Sequence, residues 1–97
     1  LRMEDYATLT GTGTVTASTT ISDNLYKPGS TQATLTLNLP GSPIDMQICS
    51  VGFGNIVTTL TVSGNGNTLN GTAPTTAAVG DSFAYKFYSG TGWIKIK

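Results

Sequence analysis

Few residues in this chain could do chemistry. Its acids are Glu4, Asp5, Asp23, Asp45 and Asp81, histidine is absent, and Cys49 is the sole cysteine. Hydrolysis of a glycoside by general acid and base needs two carboxylates about 5 to 9.5 Å apart. Glu4 and Asp5 are neighbours, and neighbours on a strand point to opposite faces. Asp23 in SDN, Asp45 after Pro43 and Asp81 in VGDS each sit where an aspartate starts or caps a turn. Without a histidine, Cys49 lacks the base that would make it a nucleophile, and its flanks QICSV read as a strand that buries it. The same absence removes zinc and most transition-metal sites, and the acids are too dispersed to favour calcium. The expectation is a protein with no catalytic residues, no metal and no cofactor.

The other chemically capable residues lie in the closing stretch SFAYKFYSGTGWIKIK, Ser82 to Lys97. If the four residues Ser89 to Gly92 close a hairpin, Tyr88 faces Trp93, Phe87 faces Ile94, Lys86 faces Lys95 and Tyr85 faces Ile96. Phe83, Tyr85, Phe87, Ile94 and Ile96 then form a core face. The opposite face carries Trp93, Tyr88, Lys86, Lys95 and Lys97, and paired lysines are unsuited to burial inside one protomer. Trp93, Tyr88, Lys86 and Lys95 are therefore the predicted ligand or subunit contacts. Aromatic rings there would stack on sugars, and the lysines would reach their hydroxyls.

Three other patterns resolve to plainer readings. TGTGTVT lacks the lysine and following helix of a phosphate loop. NGT at Asn70 to Thr72 matches a glycosylation sequon but follows a turn, which explains it as well. In TLTGTGTVT, threonines at 8, 10, 12, 14 and 16 share one face of an extended strand. An ice-binding plane would need such a ladder at a fixed period, whereas ATLTLNL and TTLTV recur at unequal distances, so pairing of threonines across strands is the simpler account.

The elements that position these residues should all be strands. The chain has 97 residues, too few for more than one thin-cored domain. Charged residues make up 10% of it, against a typical ~25%, so its surface must be Thr, Ser, Asn and Gly. With five basic and five acidic residues it has no field to attract nucleic acid or an anionic membrane. No helical apolar spacing occurs, and β-branched runs alternate with turn clusters: YATLT, TVTAST, ATLTLNL, MQICSVGF, IVTTLTVS, NTLNG, SFAYKFY and GWIKIK. In ATLTLNL, Leu35, Leu37 and Leu39 fall on one face, Thr34, Thr36 and Asn38 on the other. Asn65-Gly66 predicts a type I′ turn that sets Val62 opposite Leu69. The fold class is all-β, a small antiparallel β-sandwich or barrel-like domain. Residues 1–30 read as N-terminal strands or a connector to a shaft, or as part of one continuous domain with 31–97, and SDNLYKPGSTQ reads as the loop between. LRMEDY has neither an apolar signal core nor a leading methionine and reads as the start of a fragment or processed chain.

From residue 33 onward the order of motifs is more specific. Pro43, Asp45 and Gln47, then Leu60 to Val62, Asn70 with Gly71, Ala73 to Thr76, and Trp93 follow one another in an order that resembles the carboxy-terminal β-domain of bacteriophage tail spikes and tail fibres. Met46 departs from that pattern, in which Gly is usual. The resemblance implies a trimeric tip module, located on the virion and acting outside the cell. It would serve trimerisation and attachment to the host surface, with a bacterial polysaccharide as a possible ligand. It carries over no catalytic residues. The alternative is a carbohydrate-binding module without a major assembly role.

Overall fold

A computed structural model describes residues 5–97. Residues 1–4, with Glu4 and the start of LRMEDY, lie outside the described residues. The chain is all-β: β1 (Ala7–Leu9), β2 (Gly13–Thr16), β3 (Asp23–Tyr26), β4 (Gln32–Asn38), β5 (Ile48–Phe53), β6 (Val57–Ser63), β7 (Leu69–Asn70), β8 (Ser82–Tyr88) and β9 (Gly92–Lys95).

From β1 to β7 successive strands go to opposite sheets, and β8 and β9 then stay in the sheet of β7. The first sheet has six strands in the order β1-β3-β5-β8-β9-β7, and the second has three in the order β2-β4-β6. Within each, strands two apart in sequence pair in parallel, β1 with β3 with β5 and β2 with β4 with β6, which gives a solenoid-like winding. Parallel neighbours need a long crossover. From β1 to β6 each crossover runs through a strand of the facing sheet, whereas β7 and β9, also parallel, are joined through β8 of their own sheet. Among the described residues only the β5–β8 and β8–β9 strand pairs are antiparallel. The expected antiparallel arrangement is thus corrected: turn residues mark where the chain changes direction, but not which sheet it enters next. Asn65 and Gly66 show this well. Their φ values are 54° and 94°, and Asn67 N–H donates to Gly64 O at 3.1 Å, so the turn is present. It leads from β6 to the other sheet, however, where Leu69 pairs with Trp93 while Val62 pairs with Leu37. The threonine run at 8–16 is also split, its ends falling on β1 and β2 in different sheets.

The core lies between the sheets and follows the alternation. Leu35, Leu37 and Leu39 are buried while Thr34 is exposed. On β5, Cys49, Val51 and Phe53 point inward. Tyr26, Phe53, Phe83 and Tyr85 form a file of rings across β3, β5 and β8, with successive centroids 6.0, 5.9 and 5.8 Å apart. Such pairs add about 0.5–1.5 kcal/mol each beyond burial. Asn24, the buried polar residue of this core, accepts from Ser18 N–H and donates to the carbonyls of Ser22 and Ser50, which joins two corners of the winding.

The two ends of the winding differ. At the far end, β8 and β9 extend the six-stranded sheet beyond β5. The outer edge of β6 is met by Thr75 O, which accepts from Leu60 N–H, and by Ala77, which exchanges two hydrogen bonds with Val57. At the near end, β1 and β2 each pair on one side only among the described residues.

Candidate contact surface

The closing hairpin decides which residues face outward. Its loop is one residue shorter than expected: Tyr88 pairs with Gly92, Phe87 with Trp93, Lys86 with Ile94 and Tyr85 with Lys95. Gly92 is already in the strand, paired with Tyr88, and only glycine fits there, since its φ is 106° and a Cβ would lie 2.5 Å from Thr68 O. A slip of one residue exchanges the two faces of a strand. Trp93 is therefore inside, 0% exposed, with its ring 5.4 Å from that of Phe87, and Ile94 and Ile96 are outside. The expectation that Trp93 is a contact residue is overturned. Lys95 leaves the expected face as well. It pairs with Tyr85, and a Cβ on Gly71 would come within 2.9 Å of its own Cβ. Lys86 and Tyr88 do share the outer face, with the ammonium 5.6 Å from the ring centroid.

The register of the six-stranded sheet assembles the rest of that face. One row across the strands runs Asp23, Ser50, Ala84 and then Ile96, whose N–H donates to Ala84 O. The next row is Ile48, Lys86 and Ile94. On the other side of the first lie Leu25, Gly52 and Ser82. Ile48, Ile96 and Tyr88 are exposed at 39%, 50% and 36%. The charged strand residues of this face are Lys86, on β8, and Asp23, on β3. Sequence reasoning missed Ile48, Ile94 and Ile96. The signal for Ile48 was available, since it is out of phase with Cys49, Val51 and Phe53. Ile94 and Ile96 depended on a loop length that composition does not set.

Beside this face, the loop before β5 is held firmly and presents apolar side chains. Asp45 Oδ1 accepts from Ser89 N–H at 2.9 Å, Met46 N–H donates to Phe87 O at 2.7 Å, and Gln47 Oε1 accepts from Ile44 N–H. Gln47 N–H closes the turn onto Ile44 O. Met46 takes the third position of that turn with φ 71°, a conformation that favours glycine. The turn thus forms with Met at a position that favours Gly. Ile44 and Met46 are 73% and 52% exposed. Between this loop and the corner before β3 runs an open groove of about 440 Å³, lined by Thr19, Thr20, Ser22, Ser42, Ile44, Gln47 and Ile48.

Cys49 is buried, and its desolvation pushes the thiol up to about 12. Burial also raises the Tyr26 and Tyr85 hydroxyls. Among the described residues no three His, Cys, Asp or Glu side chains gather closely enough to hold a metal ion. No family model, curated protein or solved structure matches the chain.

Proposed function

We propose that this chain is the tip module of a bacteriophage tail spike or tail fibre, a non-catalytic homotrimer that joins three subunits and helps attach the virion to the host surface. The outer face of the six-stranded sheet carries this reading. A nearly neutral domain with a thin core leaves Ile48, Ile94, Ile96 and Tyr88 on one surface, and apolar patches of this kind mark interaction sites. The motif order from Pro43 to Trp93 supplies the class of protein. Light scattering or sedimentation of the chain at micromolar concentration should give the mass of a trimer. A stable monomer would sink the proposal.

The groove favours a second reading, a carbohydrate-binding module. Its hydroxyls and amide, with an aliphatic wall and no charged side chain, suit a neutral sugar. A glycan array probed with the intact chain tests it. Glycan binding by a chain that stays monomeric would select this reading over the first.

A further inference from the structure

We infer that the trimer is built by turning the outer face of the six-stranded sheet toward a common axis, so that Lys86 of one copy meets Asp23 of the next. The inference rests on the trimer reading for the number of copies, and on this face for where they meet. Lys86 and Asp23 flank β5 on the same surface: β3 lies on one side of it and β8 on the other. Adjacent strands are about 4.8 Å apart, so the two side chains stand two strands, about 10 Å, apart across the sheet. They also lie one pleat apart along it, since Asp23 shares the row of Ser50 and Lys86 that of Ile48. When three such faces form a three-sided prism, the β3 side of each abuts the β8–β9 side of its neighbour. Opposite charges then come together at every seam, a heterologous contact that closes after three steps.

The apolar residues of the face fit the same arrangement. Ile94 and Ile96 lie on the β9 side of Lys86, and Leu25 lies on β3 beside Asp23, so each seam joins apolar surface to apolar surface around one ion pair. The ammonium is already fixed over the Tyr88 ring. The other sheet offers nothing comparable. Its outer rows are Thr14–Thr36–Thr61, Thr34–Thr59 and Thr16–Asn38–Ser63, without charge or large apolar groups. Water satisfies such a surface fully, so the monomer gains little by covering it.

Reversing the charges tests the seam. Sedimentation equilibrium of the full chain would compare the wild type with Lys86→Asp, Asp23→Lys and the double reversal, and with Thr61→Lys on the hydroxyl face. Both residues lie outside the core, and far-ultraviolet dichroism would verify the fold of each variant, with Lys86→Gln as a milder replacement. Each single reversal puts like charges together and should weaken association at least about tenfold. The double reversal should restore it to near the wild-type value, and Thr61→Lys should leave it unchanged. If the wild type is a trimer that both single variants retain, or if the double variant stays as weak as the singles, the seam is elsewhere while the trimer reading stands. A wild-type dimer or monomer overturns both.

Discussion

The two sheets of this domain share one core but differ on their outer sides. On β2, β4 and β6 the outward positions are Thr, Asn and Ser, aligned strand to strand by parallel register. On β5, β8 and β9 they include Ile48, Ala84 and Ile94, with Ile96 just beyond β9, interrupted by Lys86. Strand preference alone would be served by either set, because Thr and Ile are both β-formers. The difference therefore lies in what each side offers: one set can hydrogen-bond to water, and the other is apolar area that water covers poorly.

The comparison can be broken first at the core, where both sheets should be equally intolerant. Trp93→Ala should destabilise by about 3–5 kcal/mol and Leu37→Ala by about 2–5 kcal/mol in chemical denaturation, since each side chain is fully buried. Thr36→Ala, on the outer side next to Leu37, should stay within about 0.5 kcal/mol. A tolerated Trp93→Ala would mean that the hairpin register, and with it the content of the contact face, is wrong.

Alkali should also act on the core rather than on either outer face. The Cys49 thiol, ordinarily near 9, is held up to about 12 by burial, so the folded state keeps a proton that the unfolded state loses. Its contribution is fully present below pH 9 and is lost as pH rises from 9 toward 12, at up to about 1.4 kcal/mol per pH unit. The raised Tyr26 and Tyr85 hydroxyls act in the same direction. Denaturation midpoints should therefore fall steadily above pH 9. In Cys49→Ser the fall should be shallower, and an unchanged slope would show that the thiol is not the group responsible.

Two smaller effects sharpen the picture of the contact side. Met46→Gly should raise stability by about 1 kcal/mol, because it relieves the left-handed backbone of a non-glycine residue. If Met46 is kept for contact, the same change should weaken association. A destabilised Met46→Gly would show that the side chain packs within its own protomer. A small effect is also expected for Tyr85→Phe. Tyr85 Oη is buried with no hydrogen-bond partner among the described residues, so removing it should be neutral or stabilising by less than about 1 kcal/mol. A clear loss by calorimetry would reveal a partner for that hydroxyl.

Local pattern was legible in the sequence, and long-range pairing was not. The faces of β4, the burial of Cys49 and the Asn65-Gly66 turn follow from alternation and from backbone preference, both of which are properties of neighbouring residues. The solenoid-like winding was obscured because its turns are unequal: Ala7 pairs with Asn24 and Asn24 with Val51, so no constant period exists to detect. The corner loops absorb the difference in length. The composition of the outer face of β8 and β9 was half legible. Lys86 and Tyr88 sit on β8, whose phase is set by Phe83 and Tyr85, whereas Trp93 and Lys95 sit beyond a loop that could hold three residues or four. Glycine is common in loops, yet Gly92 is required inside a strand by the closeness of Thr68.

The place of β7 in the sheet has a consequence for how the protein is made. β7 precedes β8 and β9 in the chain but lies beyond both, paired only to β9. Leu69 and Asn70 therefore leave the ribosome before their partner strand exists, and at about 5–20 residues per second they wait one to several seconds for it. Trp93, which closes the core between Phe87 and Leu69, arrives later still. A nascent chain halted before residue 92 would leave those side chains uncovered, so the domain should become resistant to protease only after its final strand has emerged.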